Sequence, residues 1–189
     1  MSNFYEIIRN NCDFFGWILG IISILISISI ILCSYFIRKK IPLIRISNKI
    51  SKSIDNDTNR YYYEIKVINE TLHPIINVKG KLKWGERCPL NEITIKGEIK
   101  LTTNEYFWVG RYINKNQIED EESCVMNFRT LENLEIILQN NHNLILLFEL
   151  SATHFISNKT KFFPKKTFCK SDIIKGKFLR GIYTEIEQD

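Results

Sequence analysis

From Phe14 to Ile37 the chain carries no charged residue, and Arg38-Lys39-Lys40 close that run on its C-terminal side. Twenty-four residues in a helix rise about 36 Å at about 1.5 Å each, enough to cross a hydrocarbon core of about 30 Å with some tilt. The run therefore predicts a transmembrane helix over residues 14–37, with residues 1–13 as a short segment before it. A secretory leader is the competing reading, but its apolar core is shorter and ends at small residues suited to cleavage. This run ends in Cys33-Ser34-Tyr35-Phe36-Ile37 followed by three cations, which is the pattern of an uncleaved anchor.

Basic residues near the span give an expected orientation. Residues 1–13 hold the cation Arg9 and the acids Glu6 and Asp13, whereas residues 38–52 hold Arg38, Lys39, Lys40, Arg45, Lys49 and Lys52 and no acid. The positive-inside rule then puts the N-terminus outside and the rest of the chain in the cytoplasm of a bacterium, below its inner (plasma) membrane. Arg38, Lys39 and Lys40 would meet anionic lipid headgroups at that surface. Cys12, Cys33, Cys88, Cys124 and Cys169 are scattered without a Cys-x-x-Cys pair, as thiols of a reducing compartment would be.

A chain of 189 residues has room for one span and one domain of ordinary size. Residues 38–59 read as a basic connector with one strand, Leu43–Ile46, and residues 60–189 as a cytoplasmic domain. Within that domain, Tyr61–Ile68 is rich in β-branched and aromatic residues, and Asn69 to Pro74 supplies a turn. In the next segment Ile76, Val78, Gly80, Leu82 and Trp84 alternate with Asn77, Lys79, Lys81 and Lys83, setting an apolar face against a lysine face. Further strands are expected at 92–96, 98–101, 106–112, 124–128, 144–152, 160–168 and 177–186. One short helix is expected over Thr130–Gln139, with Thr130 as its N-cap and Leu131, Leu134 and Leu138 at helical spacing. The expected fold class is thus a single transmembrane α-helix plus an all-β domain, a β-sandwich with one short helix. Glu119-Asp120-Glu121-Glu122 reads as a solvated loop.

Along the span, Gly16, Gly20, Ser23, Ser27 and Ser34 recur at steps of four, three, four and seven, which places them on one helical stripe. Small residues let helix backbones approach closely in lipid, so the stripe predicts self-association, and in three or more copies its serines would line a narrow polar path. A serine that hydrogen-bonds within its own helix is the plainer reading. Trp17 and Tyr35 stand near opposite ends, where amphipathic rings settle at the interfaces.

Catalytic signatures are lacking. His73, His142 and His154 show no metal-ligand spacing, no Gly-x-x-x-x-Gly-Lys-Ser/Thr loop occurs, and no nucleophile signature is present. The expectation is a protein that is not an enzyme and needs no metal or cofactor. The net charge of +5 has more shape. Lys159, Lys161, Lys165, Lys166, Lys170, Lys175, Lys177 and Arg180 are interleaved with Phe162, Phe163, Phe168 and Phe178 against the single acid Asp172. Cations for phosphates and aromatics for bases make a pattern that fits a nucleotide or single-stranded DNA ligand. Lys79, Lys81, Lys83, Lys159, Lys161, Lys165, Lys166 and Lys170 are the candidate ligand-binding residues. Phenylalanines in a core beneath a solvated lysine face would give the same pattern.

Two resemblances bear on function. Phe168-Cys169-Lys170-Ser171-Asp172-Ile173-Ile174-Lys175-Gly176-Lys177-Phe178 resembles the last strands of the cytoplasmic domain of inward-rectifier potassium channels. The stretches Tyr63 to Asn69 and Ile76 to Leu82 look like that domain's early strand pair. The resemblance implies an immunoglobulin-like β-sandwich, assembly as a tetramer beneath a pore, and gating by a ligand. It covers two patches, and the chain departs from the family in having one span and no Thr-x-Gly-Tyr-Gly or Gly-Phe-Gly filter. In architecture the chain also resembles the membrane effectors of bacterial anti-phage defence, of the cyclic-oligonucleotide and Hailong types. That resemblance implies a homo-oligomeric, pore-forming effector and a partner nucleotidyltransferase acting through the ligand. A membrane-anchored β-sandwich that binds a protein partner, without a pore, is the alternative.

Overall fold

The computed structural model describes residues 2–55, 58–88, 92–112, 123–138 and 143–188, and for residues 2–15 and 37–39 the backbone alone. Two compact units result, residues 1–40 and 41–189.

The first unit is one helix, α1, Ser2–Lys39. It runs without a break through the residues expected to precede the span. Its stretch Gly16–Phe36 is long and apolar enough to cross a membrane.

Among the described residues, the regular elements of the second unit are strands apart from one short α-helix and one 3-10 turn. In chain order they are β1 (Ile44–Ile46), β2 (Ile50–Asp55), β3 (Arg60–Asn69), β4 (Ile75–Arg87), β5 (Ile93–Ile99), β6 (Glu105–Val109), β7 (Val125–Thr130), β8 (Leu144–His154), β9 (Thr160–Phe162), β10 (Lys166–Phe168), β11 (Ile173–Lys175), β12 (Lys177–Phe178) and β13 (Ile186–Glu187). A helix and an all-β domain are what the sequence pattern predicts.

Two sheets share one core. In the first, β3 takes β7 on one side and β1 and β2 on the other, and β11 adds to β2 in parallel. In the second, β4 pairs with β8 on one edge and with β6 and β5 on the other, while β9 and β10 both pair with β8. Alternate residues of the long strands point between the sheets: Tyr63, Ile65 and Val67 of β3, Met126 and Phe128 of β7, Val78 and Leu82 of β4, and Leu146, Phe148 and Leu150 of β8 form one apolar cluster. At its centre the Phe128 ring meets Tyr106 and Phe148 edge-on, with centroids 5.4 and 5.1 Å away. A Cβ on Gly80 would run into the Phe128 ring.

Several expected boundaries are corrected. Residues 41–59 are not a connector with one strand, because β1 and β2 both lie in the first sheet. The signal was missing because β2 buries serines rather than apolar residues on its outer face. Ser51 and Ser53 each donate to the Gly176 carbonyl, at 2.5 and 2.6 Å. On β4 the alternation slips by one at Asn77, which has φ +50°, a conformation asparagine tolerates better than most residues. Ile75, rather than Ile76, is therefore the fully buried residue at that end. Segments 92–96 and 98–101 form the single strand β5. Segment 160–168 splits into β9 and β10 around Pro164, which has no N–H for the ladder.

The short helix α2 (Leu134–Ile137) is capped by Asn133, not Thr130. The Asn133 side chain accepts from the Glu135 and Ile136 amides at 3.1 and 3.2 Å, whereas Thr130 ends β7 and donates to the Lys100 carbonyl. Gln139, His142 and the acids Glu119 to Glu122 lie outside the described residues.

Candidate functional site

Strand alternation and pairing bring Lys165 of the C-terminal basic run to the lysine face of β4. Lys79, Lys81 and Lys83 leave β4 on the solvent side of the second sheet, opposite Ser151, Glu149 and Leu147 of β8. Phe162 of β9 pairs with Ser151, so its ring also stands on that side, 80% exposed. Lys79, Lys81, Glu149, Ser151, Phe162 and Lys165 border a shallow groove of about 450 Å³, with Phe163 closing its edge.

Glu149 organises the cations. It accepts from Lys83 Nζ at 2.7 Å and from Lys165 Nζ at 3.0 Å. Those two bonds, Lys83's the larger, hold its carboxyl below the usual carboxylate range against the opposing effect of burial. Lys79 Nζ lies 3.2 Å from Glu105 Oε1, and Lys81 makes no ion pair among the described residues. With Glu98 of β5, which stands opposite Lys83, three glutamates thus face four lysines beside an exposed aromatic ring, a surface with a small positive surplus and a stacking platform.

The other candidates divide. Lys161 caps the Phe163 ring, its Nζ 4.9 Å from the centroid, but it pairs opposite the buried Ala152 and so leaves β9 on the other face from Phe162. Lys159 is exposed in the turn before β9. Lys166 donates to Asn48 Oδ1 at 2.7 Å, away from the groove, and Lys170 belongs to a 3-10 turn, Lys170–Asp172, that packs beside Lys49. Phe168 is a core residue. The structure therefore gathers Lys79, Lys81, Lys83 and Lys165, and leaves Lys159, Lys161, Lys166 and Lys170 outside the groove's lining.

In α1, Gly16 and Gly20 have open space where a Cβ would stand, and Ser23 and Ser27 are exposed. The Ser27 hydroxyl donates to the Ser23 carbonyl at 2.8 Å, so this hydroxyl is satisfied within its own helix. Ser34 is exposed, as is Lys40, while the side chains of Arg38 and Lys39 lie outside the described residues.

A second polar site had no expectation attached to it. The outer face of the first sheet carries Glu64 and Lys66 of β3 and Asn127 and Arg129 of β7, covered by residues 177–181 around a cavity of about 300 Å³. Arg129 pairs with Glu64, and Lys66 Nζ donates to the Leu179 carbonyl at 2.6 Å. Asn127 Oδ1 is buried without a hydrogen-bond partner. Glu64 and Lys66 alternate with buried Tyr63, Ile65 and Val67, which reads as a solvated face. Only the apolar Phe178, Leu179 and Ile182, needing a surface to cover, hint that the chain folds back over it. Among the described residues no group of three or more His, Cys, Asp or Glu side chains is placed to hold a metal ion.

No protein-family model matches the chain, and no curated protein matches it significantly.

Proposed function

We propose that the protein is a single-pass membrane protein whose β domain binds a nucleotide or single-stranded oligonucleotide on the β4–β8 face. The observation that carries this reading is the convergence of Lys79, Lys81 and Lys165, from distant parts of the sequence, on the exposed Phe162 ring. The cations take phosphates and the ring takes a base, with no sequence code needed. By its resemblances the chain would act as a homo-oligomeric, pore-forming effector in bacterial anti-phage defence. It would form a tetramer through the Gly16/Gly20/Ser23/Ser27/Ser34 stripe, hold its domain in the cytoplasm, and respond to a ligand made by a partner nucleotidyltransferase.

Titrating full-length protein in nanodiscs with labelled oligodeoxythymidine tests the ligand. Each phosphate contact on a single strand contributes about −0.7 to the slope of log K against log salt, so three contacts predict a slope near −2. Binding that is absent, or insensitive to salt, would overturn the reading.

A membrane-anchored protein-interaction module without a pore is the second reading, favoured by the Ser27 hydroxyl being satisfied within its own helix. Ser23→Leu/Ser27→Leu separates the two. If the stripe packs or conducts, this variant should insert normally but lose ion flux in proteoliposomes and lose cross-linked oligomers. Unchanged flux and cross-linking would leave the anchor alone.

A further inference from the structure

One end of the β domain is an apolar rim. β3 ends there, β4 starts there, β6 and β8 end there, and the chain enters there ahead of β1. Leu43, Leu72, Trp108, Phe155 and Ile156 are 55, 72, 56, 49 and 45% exposed. They come from four separate segments that hydrogen bonds draw together. The Leu43 amide donates to Thr71 Oγ1 at 2.8 Å, the Tyr112 amide to the Thr71 carbonyl at 3.0 Å, and the Phe155 amide to the Pro74 carbonyl at 3.2 Å. The Trp108 and Phe155 rings meet edge-on, with centroids 5.0 Å apart. Exposed apolar residues grouped at one end of a domain mark a contact, since single exposed apolar residues would be scattered.

The chain itself indicates what lies against this rim. Leu43 is fixed to the rim by its bond to Thr71, and α1, with its apolar stretch, ends at Lys39. The four peptide links from Lys39 to Leu43 reach at most about 14 Å in any conformation. A rim tied so closely to a membrane-crossing helix lies within reach of the lipid headgroups, and tryptophan and phenylalanine are residues that settle there. We propose that the Leu72/Trp108/Phe155 rim inserts into the headgroup region of the bilayer. The inference rests on α1 being a span, but not on any nucleotide ligand. Arg45, close to the rim, is paired with Glu70 at 2.8 Å, so apolar insertion rather than charge drives the contact.

The chain has three tryptophans, Trp17, Trp84 and Trp108. In full-length protein reconstituted into phosphatidylcholine vesicles, Trp17→Phe/Trp84→Phe leaves Trp108 as the reporter, and Trp84→Phe/Trp108→Phe leaves Trp17. Trp108 emission should fall when the lipids carry bromine near the headgroup end of their acyl chains. Trp108 emission equal in brominated and plain lipid, with Trp17 quenched, overturns the rim contact alone. Trp17 unquenched overturns the span. Because Trp84 packs against the core, the same comparison is made with Trp84 retained, Trp17→Phe against Trp17→Phe/Trp108→Phe. There the loss of quenching on removing Trp108 is the expected result, and its persistence unchanged overturns the proposal.

Discussion

Phe128→Ala should lower the stability of the β domain by about 3–5 kcal/mol, the range for deleting a buried aromatic ring. The ring is 1% exposed and lies between Tyr106 and Phe148, from β6 and β8, while itself belonging to β7. Removing it leaves a void where the two sheets meet and takes from both neighbouring rings their edge-on partner, while the Tyr106 hydroxyl stays tied to the Asn127 carbonyl at 2.8 Å. For a domain of this size the expected fall in Tm is roughly 6–20 °C, read by near-UV circular dichroism. Gly80 supplies the internal control. Its missing Cβ is the space the Phe128 ring occupies, so Gly80→Ala alone should destabilise by overpacking, about 1–3 kcal/mol. In the Phe128→Ala background the same change should cost little or partly restore stability, a coupling that a double-mutant cycle would measure. A Phe128→Ala effect under about 1 kcal/mol, or additive effects of the two changes, would show that the core does not pack around this pair.

That ring contact also shows which parts of the fold were legible in the sequence. β4 declares itself because apolar and polar residues alternate along it, and β8 because Leu144 to Phe148 is an unbroken apolar run rich in strand formers. β2 does not, because what it buries is serine: Ser51 and Ser53 are satisfied by a carbonyl of Gly176, 123 residues beyond Ser53. A hydrogen bond across such a separation leaves no local pattern. Gly176 itself has φ +133°, and a Cβ there would collide with the Glu187 carbonyl, so the turn that brings residues 177–187 back over the first sheet requires glycine. The N-cap of α2 was misplaced for a different reason. Thr130 and Asn133 are both competent caps three residues apart, and β7 keeps the threonine by pairing it with Tyr63.

The candidate site was legible in part, and the part follows from register. Lys79, Lys81 and Lys83 share a face at sequence level, because the same alternation that places Val78 and Leu82 in the core turns them outward. That Lys165 joins them, while Lys166 turns away to Asn48, depends on where Pro164 interrupts the strand. Adjacent lysines in one basic run therefore have different surroundings. Composition weighted them equally, and the aromatic half of the pattern divides in the same way: Phe168 is core and Phe162 is solvent-facing.

Reversing charge at the groove should have the largest effect on binding. With Lys79→Glu/Lys81→Glu/Lys165→Glu the three cations nearest Phe162 become repulsive, and the salt slope of oligonucleotide binding should become shallower by about 0.7 for each phosphate that is no longer neutralised. The fold has room for these changes, since Lys79 and Lys81 are exposed and Lys165 is 56% exposed at its side chain, so circular dichroism should stay that of the parent. Glu149→Gln should act in the opposite sense. Its carboxylate, ionised well into the acid range, occupies Lys83 and Lys165 and opposes any phosphate approaching them. Neutralising it frees both ammonium groups for the ligand and should tighten binding, while Lys170→Glu, remote from the groove, should leave binding nearly unchanged. The comparison with Lys170→Glu separates a local site from general basicity, since net charge alone would also give Glu149→Gln the opposite sign. A polyanion attracted only by the net charge of +5 would respond alike to Lys170→Glu and to each single groove reversal, because each alters the total by the same amount. If Lys170→Glu weakens binding as much as Lys81→Glu does, or if Glu149→Gln leaves the affinity unchanged, the groove is not the ligand's site.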